Sequence, residues 1–297
     1  MRKKVIRITL TLNDGVETFT ADGDNRLSSS GLAISCVITH GNGAMSPTAQ
    51  ITVYNLPLEV MVKLFRVQWN TMQALLNTVK IEVGEQGDKT LTTAYDGNIT
   101  FATTDMASSP NTALIITSQM AMVEKFKVTP PFTSPKDEVV DSADIIKFLA
   151  EDMGFSFQNF GASKQLTNAS LNGSNLEKIQ TLAQWCDFDL YVEDKSITIC
   201  KKDGERDLKI PVVSPTTGMD NYPVLEQRGI AFNCIYDPSI RFGGVVRVKD
   251  SLITTANADW RIYGLVTTLE ANKPQGKWHM SVNATWRNSK DAAVQRK

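Results

Sequence analysis

Apolar and polar residues alternate with a period of two through much of the chain, the pattern of strands with one wet face. Near the start, Ile6, Ile8, Leu10 and Leu12 alternate with Val5, Arg7, Thr9 and Thr11. Leu32, Ile34, Cys36 and Ile38 alternate with Ala33, Ser35, Val37 and Thr39, ahead of a Gly41-Asn42-Gly43 turn. Ala49, Ile51, Val53 and Asn55 do the same with Gln50, Thr52 and Tyr54, until Pro57 stops the strand. Between Leu58 and Asn77 the period lengthens. Val60, Met61, Leu64 and Phe65, then Met72, Leu75 and Leu76, form the stripes of one or two short helices. Strands resume at 78–83, 90–101 and 111–119. Asp96-Gly97 suits either a tight hairpin turn or a glycine inside a strand.

The stretch from Thr129 to Pro135 (TPPFTSP) is a proline-punctuated linker, and the pattern changes after it. Asp141 is placed to cap a helix carrying Ile145, Ile146, Leu149, Ala150 and Met153, ended by Gly154. Ser174 with Glu177 three residues on is the spacing of a capping box, and Leu176, Ile179, Leu182, Ala183 and Cys186 form the stripe behind it. Phe188, Leu190 and Val192, a Glu193-Asp194-Lys195 turn, then Ile197 and Ile199 read as a hairpin. Residues 136–204 are therefore expected to be an α+β insertion in a mainly β chain. Beyond it, Leu208, Ile210 and Val212 alternate before Pro215, and strands are expected at 229–236, 245–248, 260–269 and 277–286. In the last of these, Trp278, Met280, Val282, Ala284 and Trp286 share one face. The tail 288–297 is polar and expected to fray.

At 297 residues, 42% hydrophobic and 21% charged, the chain can bury the cores of two or three domains. The formal net charge of -1 argues against a protein that grips nucleic acid, because phosphate contacts need an excess of Lys and Arg. The basic start Met1-Arg2-Lys3-Lys4 leads into alternation rather than the unbroken apolar run of a signal peptide. No run approaches the roughly 20 apolar residues of a membrane helix. Synthesis in the cytoplasm without membrane insertion is expected.

Residues that carry chemistry are sparse. Cys36, Cys186, Cys200 and Cys234 are far apart within apolar segments, as buried thiols are. His40 and His279 lack any metal-ligand spacing, and neither a nucleophile elbow, a P-loop nor a dinucleotide fingerprint is present. Glu226 and Asp237 flank a strand and are the nominees for a glycosidase pair, although Asp237 before Pro238 also suits a turn. No catalytic residue, metal or cofactor is expected. The aromatic residues Trp260, Tyr263, Trp278 and Trp286 are the candidates for an interface, or for a sugar groove.

Four segments taken in order resemble a known family. They are the strand Ala49-x-Ile51-x-Val53-x-Asn55-Leu56 followed by a helix, the surroundings of Gly97 and Ile99, the helix–hairpin from Leu176 to Ile199, and Asn233–Gly243. A closing strand with Gly264 and Leu269, the polar turn 273–276 and a strand with Trp278 complete the likeness. In this order they resemble the baseplate hub proteins of contractile-tailed bacteriophages, the tail hub or late control protein D-like family. The resemblance favours Gly97 as an in-strand glycine. It implies two tail-tube-like β-barrel domains, residues 1–104 and residues 105–135 with 205–297, with the insertion 136–204 on the outside.

A homotrimer would then present six similar barrels, joining a sixfold tail tube or tube-initiator protein to a threefold central spike. Other baseplate proteins would surround it, and DNA would pass only in transit. The resemblance thus implies a non-enzymatic structural part of the virion. The alternatives are a carbohydrate-binding tail protein and, further off, a cell-wall hydrolase, which glycan-binding and peptidoglycan-lysis assays would separate.

Overall fold

The structure is a computed structural model that describes residues 3–12, 15–23, 32–41, 46–59, 61, 76–107, 112–193, 195–206 and 209–287. Most of the helical stretch expected at 58–77, the Gly41-Asn42-Gly43 turn, Leu208 and the tail 288–297 lie outside the described residues.

The first part of the chain forms β1 (Lys4–Leu12), β2 (Gly15–Gly23), β3 (Ala33–His40), β4 (Thr48–Tyr54), β5 (Thr78–Glu85), β6 (Thr92–Asp105) and β7 (Ala113–Gln119). Then come α1 (Met122–Phe126), β8 (Phe132–Thr133), β9 (Val139–Asp141), α2 (Ser142–Asp152), β10 (Ser156–Phe160), β11 (Gln165–Thr167), β12 (Ser170–Leu171), α3 (Asn175–Cys186), β13 (Phe188–Glu193) and β14 (Ser196–Lys201). The last part contributes β15 (Val212–Val213), β16 (Met219–Glu226), β17 (Gly229–Ile235), β18 (Val245–Val248), β19 (Asp259–Ala271) and β20 (Trp278–Trp286). The chain is mainly β, as its alternation predicts. Among the described residues no helix is long and apolar enough to cross a membrane.

One sheet of 13 strands runs β16-β17-β20-β19-β3-β4-β7-β6-β5-β1-β2, with β18 also on β19 and β15 on β18. Two closed barrels are not seen among the described residues. The physical reason lies in β19. It pairs with β20 along most of its length, and its second half, Leu265 to Ala271, also pairs with β3. The two halves of the sheet are thereby fused. The stretch expected to open the second barrel supplies β7, which hydrogen-bonds to β4 and β6 and buries Leu114 and Ile116 beside Ile51 and Ile81.

Three hydrophobic cores result. The first gathers the inward residues of β1 to β7, with Leu269, Ala271 and Trp278 from β19 and β20. The second lies under α2 and α3 and takes Leu190, Val192, Ile197 and Ile199 from β13 and β14. The third is built from β16 to β20 and reaches back to Tyr191 and Cys200.

Local chemistry explains several element ends. Asn55 adopts φ 63°, a left-handed conformation that asparagine tolerates, so it turns the chain after β4 while Leu56 drops into the first core. Gly97 lies inside β6, not at a turn. A Cβ there would meet the Tyr95 ring, whose hydroxyl is 3.0 Å from Ser118 Oγ, and Ser118 Oγ donates to Asn98 O at 2.7 Å. Asp141 caps α2 by accepting from Ala143 N at 2.9 Å. The capping box is complete: Glu177 N donates to Ser174 Oγ at 3.2 Å and Ser174 N donates to Glu177 Oε2 at 3.0 Å.

The proline linker is pinned by a buried lysine. Lys178 on α3 is 1% exposed, and its Nζ donates to Thr129 Oγ1 at 2.9 Å, Pro130 O at 2.5 Å and Asn175 Oδ1 at 3.2 Å. Lys178→Met keeps the apolar stem and removes the donors. It is expected to cost about 1–3 kcal/mol and to open residues 127–135 to limited proteolysis. An unchanged cleavage pattern would show that the lysine does not hold the linker.

Candidate assembly interface

The four aromatics nominated from sequence divide into two pairs. Trp260 and Trp278 are buried. Trp260 Nε1 donates to Ala256 O at 2.8 Å, and Trp278 meets Tyr236 edge-on at 6.2 Å with Lys4 Nζ 5.5 Å from its ring. Both serve the interior of the subunit. Trp286 is 49% exposed and stands edge-on against Trp260 at 4.9 Å. Tyr263 is half-buried, with the Arg228 guanidinium 5.2 Å from its ring. Of the four, these two offer aromatic surface to a partner.

A second surface was not singled out by sequence reasoning. The outward side chains of six neighbouring strands line up in cross-strand rows. One row runs Asn233, Ser281, Val266, Thr39, Thr48, Gln119, and the next Ile235, His279, Thr268, Val37, Gln50, Thr117. Strands β17, β20, β3, β4 and β7 contain no Asp, Glu, Lys or Arg at all. On β19 the carboxylate within this face is Glu270, which accepts from Lys273 Nζ at 2.7 Å and Ser35 Oγ at 3.0 Å. Against the upward pull of burial, those hydrogen bonds and one from Lys277 N hold its carboxyl below the usual range. At the margin, Asp220 Oδ2 lies 3.7 Å from His279 Nε2. The signal was present in the strands' composition but has meaning only once the register shows them to be neighbours. By contrast, Arg7, Lys80 and Glu82 stand on β1 and β5.

Among the described residues the strand path of the sheet ends at β2 and β16, with β15 ending the branch through β18. Edge strand β16 exposes Tyr222, Val224 and Leu225, and Pro223 together with a register shift between Asp220 and Val224 interrupts its ladder.

Polar joints hold the three cores together. Where they meet, Arg206 Nη1 donates to Glu193 Oε2 at 2.7 Å and to Phe242 O at 3.0 Å, and its guanidinium lies 5.3 Å from the Tyr191 ring. His40 Nε2, from the end of β3, lies 3.7 Å from Glu193 Oε1. A second joint places Arg261 Nη2 2.9 Å from Asp203 Oδ1 and Nη1 3.5 Å from Asp189 Oδ2. In a third, Arg287 forks onto Glu205 at 2.6 and 2.8 Å and donates to Asp259, which Arg247 also grips through two bonds.

The His40 joint predicts a pH dependence. Burial holds the imidazole below its ordinary pKa of 6.5, Glu193 opposes this, and Arg206 and Arg241 push the same way as burial. The unfolded chain therefore takes up the proton first. The stabilisation is complete above the unfolded pKa and is lost as pH falls through it toward the folded value. The urea midpoint is expected to drop between about pH 7 and 5, and His40→Gln to flatten that drop. An identical slope in the variant would exclude His40 as its source.

Neither carboxylate nominee supports hydrolysis. Glu226 pairs with Gly229 at one end of β17, whereas Asp237 follows its other end. At about 3.3 Å per residue the length of β17 alone sets them roughly 20 Å or more apart, beyond the about 5–10 Å of glycosidase pairs. Asp237 is instead a turn residue: its Oδ1 accepts from Ser239 N at 2.8 Å and Ser239 Oγ at 2.7 Å. All four cysteines are buried and free, and burial pushes the thiols of Cys200 and Cys234 up to about 12. Among the described residues no group of three His, Cys, Asp or Glu is placed to hold a metal ion.

The family described as baseplate hub gp41 matches residues 5–275 of this chain. Among solved structures, a tail protein from Neisseria meningitidis MC58 superposes with a TM-score of 0.59 at 8% identity, over 95% of this chain and 96% of that one. The 43 kDa tail protein of prophage MuSo2 from Shewanella oneidensis gives 0.59 at 9%, over 97% and 98%. The E. coli c3393 protein gives 0.54 at 10%, over 88% and 75%; it is a component of the type VI secretion system, described as similar in structure to the T4 bacteriophage tail proteins gp27 and gp5. At such identities the likeness is one of fold. No curated protein sequence matches this one.

Proposed function

This chain belongs to the baseplate hub gp41 family, a structural component of the virion tail, and from that premise we propose that three copies form the ring that joins the tail tube to the central spike. The family match over most of the chain carries this reading, and the shared fold with phage tail proteins supports it. Each subunit contributes two halves of one sheet fused through β19, and in this reading the two halves let a threefold ring offer a sixfold tube a face with nearly its own symmetry. The ring leaves a channel for DNA in transit in a contractile tail. Residues 136–204 sit on its outside, where other baseplate proteins bind. The role is mechanical and needs no cofactor.

Tyr263 and Trp286 are assigned to the interface, where a partly exposed aromatic can anchor a partner. Trp286→Asp is expected to leave the circular dichroism spectrum and melting of the free chain within a few degrees of wild type. It should also abolish co-purification with the tube and spike proteins of the same phage. Normal tail assembly by the variant would remove Trp286 from the interface. Failure of the wild-type chain to bind either protein would overturn the hub reading itself.

A further inference from the structure

We infer that the uncharged face formed by β17, β20, β19, β3, β4 and β7 is the wall of the DNA channel; this deepens the hub reading and rests on it. The first support is charge. The chain is 21% charged, yet five of these six adjacent strands carry no Asp, Glu, Lys or Arg; on the sixth, Asp259 and Arg261 are tied into the polar joints and Glu270 is held by Lys273. A surface that only needs to be wet has no reason to avoid charge. A conduit for a polyanion has one. Lys or Arg on its wall would hold phosphates through counterion release, and fixed carboxylates would repel them. Ser, Thr, Asn and Gln hydrate the wall without doing either.

The second support is size. The outward residues, among them Thr39, Thr48, Thr268 and Ser281, are mostly short, and a narrow lumen needs short side chains. At about 4.8 Å per strand and a tilt near 40°, six strands cover roughly 37 Å of circumference. Three copies give a wall roughly 36 Å across between backbones. Even after side chains and a layer of water are subtracted, a duplex of about 20 Å passes. The arrangement of the sheet fits as well. The charged strands β1 and β5 lie beyond β7 and β6 on the strand path, away from the neutral stretch.

Thr39, Gln50 and Ser281 are exposed and stand on three different strands, β3, β4 and β20. The test is the triple variant T39K, Q50K and S281K supplied to assembling virions, with T39Q and S281Q as the uncharged control of similar length. Lysine virions are expected to have normal tails by electron microscopy but to release DNA at least about tenfold more slowly than wild type at 50 mM salt, with the gap closing by 200 mM. The glutamine control should release DNA at the wild-type rate. Unchanged release at low salt would take this face off the channel. Lysine tails that fail to assemble would make it a packed interface, and an equally slow glutamine control would make the effect one of bulk; each of these overturns the inference. Copy number in wild-type tails is read separately, so a hub reading that fails is distinguished from a misplaced wall.

Discussion

Arg206→Ala is expected to lower the unfolding free energy by about 3–5 kcal/mol. The guanidinium is 5% exposed and sits where all three cores meet. Its Nη1 satisfies both the Glu193 carboxylate and the Phe242 carbonyl, and its plane lies near the Tyr191 ring. Truncation leaves Glu193 a buried carboxylate stripped of its guanidinium partner, with the His40 imidazole 3.7 Å away. The cost comes from that uncompensated charge more than from the bond itself. Replacing both partners, as in R206M with E193M, should therefore recover much of the loss, and a double-mutant cycle in urea measures the coupling. Additive single losses would show that the two side chains do not act as a pair.

Gly243→Ala is expected to be nearly as damaging, at roughly 2–5 kcal/mol. Gly243 adopts φ 75°, where an L side chain is strained, and an added Cβ would collide with the Tyr191 ring. The loop that carries it buries Ile240 and Phe242 in the third core, and Phe242 meets Tyr191 edge-on at 5.5 Å. The substitution therefore pushes β13 away from the core that β17 to β20 build. Thermal melting of G243A, alone and with Tyr191→Ala, separates the two causes. Tyr191→Ala has its own cost, because its ring packs in the third core; measured against that single variant, the double carries no collision, and its further loss reports the backbone strain. A G243A melting temperature equal to wild type would mean that this contact does not hold the insertion in place.

Much of the architecture could be read from residue patterns because its causes are local. Alternation in β3, β4 and β20 sets which side chains are buried, and Asp141, Ser174 with Glu177, and Asp237 before Pro238 act within a few residues of themselves. Asn55, by contrast, fits the alternation but leaves the strand: β4 ends at Tyr54, and a φ of 63° at Asn55 turns the chain before Pro57 is reached. The joints were invisible for the opposite reason. His40, Glu193 and Arg206 come from three parts of the chain, and no spacing links Arg261 to Asp189 and Asp203. Periodicity puts Trp278 and Trp286 on one face of a strand, but could not show that this face is closed over at Trp278 and open at Trp286. It also could not show that β7 joins β4, because that pairing depends on tertiary register. The uncharged face is a mixed case, since its composition is plain in each strand but its continuity exists only in the sheet.

We propose that this chain works as a threefold adaptor. Cryo-electron microscopy of the tail tip from intact virions tests it by counting copies and reading their symmetry. Three copies are expected in a single ring between tube and spike, each giving two sheet halves to the face that meets the tube. A ring of six copies, or this chain attached only to the outside of the baseplate with the duplex passing elsewhere, would contradict it.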